Sequence, residues 1–295
     1  MDVLTGKYFH LAGIISLIGY RSNFNMDWHD SLMPLAPDYT LLEKAVLDCA
    51  LAGCETIWIV CNDDITPLVK YRLGDWVHDP VWKDRHRSKV FFNLRKEVPI
   101  FYIPTHPDDL DRRDCMGWGI LHGAQTAAAV CGQISKWTRP SAYFVSFPYG
   151  VYDQNILRAN RSLFSSNRRA YLKYGGASVE NGHYYGFTFL SEDIDLLVKK
   201  FKKNPQNLFF EGKKLPLQDR YTGKHMTLEK VFEPLNFQEK YDTVELDWGY
   251  SIVNWADYVA TLNAKEIDGI CGQKRFFEKK LFNKIPQEEE TNVED

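Results

Sequence analysis

Gly13, Gly19 and Arg21 fall within and just after the first apolar run of the sequence, where a glycine-bearing turn with a nearby cation suits a phosphate or nucleotide. Main-chain N–H groups beyond the carboxyl end of a buried strand face such a ligand, and a guanidinium adds charge. The spacing is neither GxGxxG nor GxxxxGK[ST], so neither a dinucleotide fingerprint nor a P-loop is encoded. The eight histidines form no HExxH or HxxxH, and no GxSxG elbow accompanies a Ser/His/Asp set. A helix-borne zinc hydrolase and a serine hydrolase are therefore not encoded. Cys49, Cys54, Cys61, Cys115, Cys131 and Cys271 contain no CxxC pair, and most sit in apolar stretches where a reduced thiol packs as a small hydrophobe.

These residues need elements to hold them. Residues 7–18 read as a strand buried on both faces, followed by a polar and aromatic loop. Thr40 then caps a helix, with Glu43 in the capping-box position, and Gly53 closes it. ETIWIVCND is the next strand, so residues 7–62 make a β-loop-α-β unit with a parallel, right-handed crossover. Residues 65–97 read as an insertion rich in Trp and basic side chains. Asp75, Asp79 and Asp84 interrupt its charge, which favours solvated helices over a nucleic-acid platform. VPIFYIP is a strand, 122–137 a helix opened at Gly123, and SAYFVSFP a further strand. A strand pair over 177–191, a helix capped by Ser191, a helix over MTLEKVFEPLNF and a closing strand-turn-helix complete the pattern. The expectation is one α/β domain over 1–285 with a mixed, mostly parallel sheet flanked by helices, and an acidic, flexible tail over 286–295.

Composition bounds the partners. With 36 Lys+Arg against 39 Asp+Glu, the formal charge of -3 provides no global field for nucleic acid or an anionic membrane. No apolar run reaches the roughly 20 residues that span a bilayer. The opening stretch lacks a signal-peptide build, so the expected location is cytoplasmic.

Read in order, the segments resemble the nucleotide-sugar pyrophosphorylases and related sugar-phosphate nucleotidyltransferases. LAG and the Gly-Tyr-Arg loop are similar to that family's LAGG and GTR, and MPLAP to its KPLLP-type segment. HGAQTAAAV is similar to its GTA-type helix start, YFVSFPYGVYD to its strand ending in GD, and YYGFTFLSEDIDLLV to its "G.y.fs.e" segment. VELDWGYSIVNWADYVATLNA resembles its closing "w.D.GT..dy..A" signature, so the resemblance spans roughly residues 7–265 in the family's order.

The resemblance implies a Rossmann-like, GT-A-related fold. It also implies transfer of a nucleoside monophosphate from a nucleoside triphosphate to a sugar phosphate, with pyrophosphate leaving and Mg²⁺ as cofactor. It places Arg21 on the departing phosphates and Asp247 on the metal, with Asp153 as a second metal carboxylate within reach of a shared cation. Leu11, Ala12 and Gly13 would contact the nucleotide through the main chain, Gly123 and Gln125 would meet the base, and Lys173 a sugar-side phosphate. Two departures stand out. Asp30 and Ser31 occupy the place of the family's loop lysine, and Gly150 falls opposite its metal aspartate. They motivate the alternative of a catalytically reduced nucleotide-binding or assembly protein. The triplet Asp109-Leu110-Asp111 motivates another, a GT-A glycosyltransferase, although it follows Pro107 rather than ending a strand. A homo-oligomer is compatible with all three.

Overall fold

The first strand, β1 (Leu11–Ser16), has all six residues buried, as expected of a strand covered on both faces. The computed structural model describes residues 9–19, 24, 26–85, 96–135, 138–203, 209–210, 213–217, 220 and 222–270. A small hairpin of β2 (Pro34–Ala36) and β3 (Tyr39–Thr40) leads into helix α1 (Leu41–Ala52). The expected capping box is formed: Thr40 Oγ1 accepts from Glu43 N at 3.2 Å, and Glu43 Oε2 accepts from Thr40 N at 2.7 Å. Gly53, at φ 99°, ends the helix in the left-handed region.

Strand β4 (Thr56–Cys61) follows, then α2 (Thr66–Leu73), β5 (Trp76–His78) and α3 (Pro80–Arg85). Asp79 caps α3 by accepting from Val81 N at 3.0 Å, and Arg161 grips both its oxygens at 3.0 and 2.6 Å. This part of the 65–97 segment therefore joins the main body through β5 and through a buried ion pair. Next come β6 (Glu97–Pro104), α4 (Pro107–Arg112), α5 (Met116–Ile134), β7 (Ala142–Val145) and β8 (Gly150–Tyr152). α6 (Asn155–Ala159), α7 (Arg161–Phe164), β9 (Ala170–Lys173), β10 (Phe187–Leu190) and α8 (Asp193–Lys203) continue the chain. It closes with the pair β11 (Phe209–Phe210) and β12 (Lys213–Lys214), α9 (Leu228–Phe232), α10 (Phe237–Lys240), β13 (Asp242–Glu245), β14 (Gly249–Ser251) and α11 (Trp255–Leu262).

Eight strands form one sheet in the order β13-β9-β10-β7-β1-β4-β6-β5. β7, β1, β4 and β6 run parallel, as do β13 and β9, whereas β10 and β5 are antiparallel to their neighbours. The mixed, mostly parallel α/β sheet is as the sequence indicates. The chain steps from β1 outward to β4 and β6, then returns to the other side of β1 as β7. The strand order thus reverses between β1 and β7, and in open α/β sheets ligands bind beyond the carboxyl ends at such a point.

Helices α1 and α5 cover opposite faces, which the alternation along β1 makes explicit. A Cβ on Gly13 would meet Cys49 Sγ of α1 at 2.7 Å, while a Cβ on Gly123 of α5 would meet Ile14 at 3.2 Å and Val60 at 2.9 Å. The five described cysteines are free and buried, as their apolar settings predict, and Cys271 lies outside the described residues. Among the described residues no helix is long and apolar enough to cross a membrane.

Candidate functional site

The carboxyl ends of β1, β4, β6, β7, β9 and β13 share one edge of the sheet. Gly19, at φ 68°, makes the turn after β1. Its main chain lies against the start of α5, where an added Cβ would be 2.1 Å from Cys115 Cα and 2.5 Å from Met116 N. The loop after the first strand and the positive end of a 19-residue helix therefore meet. His29 fixes this junction from the other side. Its Nε2 donates to the Leu17 carbonyl at 2.8 Å, and its Nδ1 lies 2.8 Å from Ser31 Oγ. Burial pushes the imidazole below its ordinary range, against the raising effect of the Leu17 carbonyl and of Asp30 and Asp64. It is held neutral. The segment that the resemblance sets opposite a loop lysine is a 3-10 turn over Asp30–Leu32, capped by His29.

Four buried polar atoms at this edge have no hydrogen-bond partner within the protein: Ser16 Oγ, Asn62 Oδ1, Thr105 Oγ1 and Trp118 Nε1. They come from the ends of β1, β4 and β6 and from the first turn of α5, on strands spaced about 4.8 Å apart. Others of the kind, such as Arg72 Nε and Tyr241 Oη, lie elsewhere in the fold. A buried polar group without a partner costs about 1–3 kcal/mol, so four of them at the ends of neighbouring strands and the start of α5 call for an explanation. Gly119 lets α5 lie directly on the end of β1, since a Cβ there would sit 2.1 Å from Ser16 Oγ.

Leu11, Ala12 and Gly13 lie inside β1, laddered to β4 and β7, and Gly13 ends three residues short of the strand's carboxyl end. The turn that follows the strand's carboxyl end is formed by Leu17–Gly19. Helix α5 starts at Met116, capped by Cys115 Sγ, and not at Gly123 as the sequence pattern indicated. Gly123 is consequently a packing position seven residues into the helix, and the half-buried Gln125 stands two residues further on. The sequence signal that marks the true start is Gly117 and Gly119, whose added Cβ atoms would strike Val231 and Ser16.

Lys173 and Asp247 are brought together. Lys173 is the register partner of Glu245 across β9 and β13, and Leu246 N donates to the Lys173 carbonyl at 2.8 Å, so Asp247 follows at the same edge. Asp247 is exposed, with no hydrogen bond or ion pair to any described residue. β14 pairs antiparallel with β8, Gly249 opposite Tyr152, so Trp248 precedes and Asp153 follows the last pair of that ladder. The two acid-bearing segments are neighbours. Asp153 also makes the turn into α6, its Oδ1 accepting from Asn155 N and Nδ2, both at 2.9 Å. Arg21 lies outside the described residues. Asp109, in the DxD triplet, is on α4 and paired with Arg113 at 2.9 Å.

Among the described residues no three or more His, Cys, Asp or Glu side chains group as a metal site. Magnesium takes one or two carboxylates and otherwise water and phosphate oxygen, and the unpaired Asp247 fits that donor set. The hollow of about 710 Å³ between Lys200, Glu180, Glu229 and Glu233 is separate. Glu180, Glu229 and Glu233 line it against Lys200 and Lys230, and Lys200 is engaged with Glu233 at 2.5 Å, so acidic groups are in excess there, unsuited to a triphosphate.

No family model matches the sequence, and no curated protein matches it. Solved structures do match its fold. A UDP-glucose pyrophosphorylase complexed with UDP-glucose superposes with a TM-score of 0.56 at 12% identity, covering 88% of this chain and 100% of that one. The chain has the fold of the sugar-phosphate nucleotidyltransferases. A protein described as a glucose-1-phosphate thymidylyltransferase from Bacillus anthracis, in complex with a sucrose, gives 0.53 at 9% identity, over 88% of this chain and 99% of that one. The UTP-bound UGPase from Acinetobacter baumannii gives 0.53 at 11%, over 86% and 92%. At such identities the likeness is one of nucleotidyltransferase fold, in a strongly divergent sequence.

Proposed function

We propose that this chain is a magnesium-dependent nucleotidyltransferase that transfers a nucleoside monophosphate from a nucleoside triphosphate to a sugar phosphate, releasing pyrophosphate. The observation that carries the reading is the set of unpartnered polar atoms at Ser16, Asn62, Thr105 and Trp118, at the carboxyl ends of β1, β4 and β6 and the start of α5, on the edge where the strand order also reverses. The base and ribose would supply their missing partners. The triphosphate would lie over the Leu17–Gly19 turn and the start of α5, with Arg21 on the departing phosphates. Asp247 would hold the magnesium, which neutralises phosphate charge when bound. Lys173, on the adjoining strand end, would receive the acceptor's phosphate, and Gly13, Gly123 and Gln125 would support the cleft from behind. Such transfer depends chiefly on alignment and charge stabilisation, which these groups supply without a nucleophilic side chain.

One observation favours a second reading, a nucleotide-binding protein without turnover. Gly150, opposite the family's metal aspartate, has no room for a side chain. Incubating the protein with each nucleoside triphosphate, sugar 1-phosphates and MgCl₂ separates the two. Pyrophosphate release that disappears in Asp247→Asn supports the enzyme. Nucleotide binding without release supports the second reading, and absence of both binding and release overturns each.

A further inference from the structure

Lys44 and Asp48 of α1 are completely buried and form an ion pair at 2.6 Å. Removing two charges from water costs several kcal/mol each, and replacing such pairs with apolar residues is often neutral or stabilising. Net stability is therefore a poor explanation for their presence. Their other contacts all lead to one segment. The Lys44 ammonium donates to the Gly150 carbonyl and sits 3.8 Å from the centre of the Tyr152 ring. Asp48 Oδ2 accepts from Tyr152 Oη at 2.9 Å and Ser146 Oγ at 3.2 Å, and its Oδ1 accepts from Gln154 Nε2 at 2.6 Å. Gln154 in turn donates to the Lys44 carbonyl at 3.3 Å and accepts from Tyr39 Oη at 3.5 Å. Burial pulls the ammonium below its ordinary range while the Asp48 carboxylate opposes that shift.

Every partner on the far side lies between residues 146 and 154, the stretch that leaves β7, forms β8 and ends beside Asp153. β8 pairs with β14, which begins two residues after Asp247. We propose that Lys44 and Asp48 are a positioning pair: they clamp the main chain of β8 and, through its ladder with β14, set where Asp153 and Asp247 stand in the site. At the position where a family carboxylate would be expected, this chain has a bare glycine whose carbonyl is held from below by a buried cation. Alignment of the remaining carboxylate therefore depends on that clamp. The inference rests on the reading of Asp247 as the magnesium carboxylate.

The test is calorimetric titration of nucleoside triphosphate at graded MgCl₂ concentrations, with urea unfolding run in parallel. Lys44→Met/Asp48→Leu removes both charges together. It is expected to unfold cooperatively and to bind nucleotide without magnesium as the natural chain does. Its half-maximal magnesium requirement should rise by about tenfold or more, the usual effect of losing a group that orients a metal ligand. Tyr152→Phe removes one hydrogen bond from Asp48 and leaves the ring beneath Lys44, so the charge pair stays matched. It should shift the requirement the same way by about threefold. An unchanged magnesium requirement in the folded double variant, or in Tyr152→Phe if the double variant does not fold, overturns the proposal. Asp247→Asn in the natural background is the control: if magnesium dependence survives it, the failure belongs to the metal assignment and not to the clamp.

Discussion

The main chain at Gly150 lies against the carbonyl of Tyr184 so closely that a Cβ on Gly150 would stand 1.6 Å from that oxygen. The position that the family resemblance aligns with a metal carboxylate is thus closed to every side chain, by backbone that cannot rotate away. Gly150→Ala should destabilise the protein by about 3 kcal/mol or more, at the upper end of overpacking costs. Gly150→Asp should fail to restore a metal ligand. A urea midpoint for Gly150→Ala within error of the natural chain would contradict this packing.

Gly13 and Gly119 separate strand interior from site. Both should lose about 1–3 kcal/mol on substitution by Ala, because the new methyl meets Cys49 in the first case and Ser16 and Ile18 in the second. Only Gly119→Ala should also weaken nucleoside triphosphate binding, by about tenfold, as it covers the Ser16 hydroxyl. Equal affinities of the two folded variants for nucleotide would remove the proposed site from the α5 end.

His29 makes stability fall in mild acid. Its folded-state pKa lies below the ordinary 6.5, so beneath that pH the unfolded chain binds a proton that the folded chain refuses. Stability is fully present above 6.5 and is lost as pH falls through the lowered value, by at most about 1.4 kcal/mol per pH unit. Unfolding free energies measured from pH 7.5 to 5 should show this slope, and His29→Gln should lack that part of it. Parallel curves for the two proteins would show that His29 does not carry it.

The buried thiols should be inert. Burial raises Cys61 to about 11 and Cys115 to about 12, and Cys49 is raised as well. Thiolate is the reactive form, so a thiol reagent at pH 8 should leave Cys49, Cys61 and Cys115 unlabelled until denaturant is added. Labelling of Cys115 in the native protein would indicate that the junction between Gly19 and α5 opens.

The legible parts of the sequence are those written in local chemistry. The Thr40–Glu43 box, the closing Gly53 and the β-α-β opening follow from capping rules and hydrophobic runs, and all are present. The start of α5 is not legible in the sequence because its cap is Cys115, and cysteine carries no capping signal. Gly123, inside the helix, resembles a start but is small for packing against Ile14 and Val60. The carboxyl end of β1 is hidden for a related reason: an apolar run does not show where its strand ends, here at Ser16 rather than near Gly13. Nothing local announces His29, the Lys44–Asp48 pair or the unpartnered Asn62 and Thr105 atoms. Their meaning depends on groups brought together by sheet order, such as Lys44 and Gly150, 106 positions apart in sequence.

The central claim is that polar atoms at the carboxyl edge wait for a nucleotide, and Thr105→Val tests it most directly because it deletes one such hydroxyl at constant shape. Calorimetry with magnesium and each nucleoside triphosphate, alongside urea unfolding of the free protein, reads both consequences. The predicted result has opposite signs: the free protein gains about 1 kcal/mol because an unsatisfied group is gone, while nucleotide affinity falls by about tenfold because a hydrogen bond is lost. A variant that is less stable and binds nucleotide as tightly as the natural chain would contradict the account.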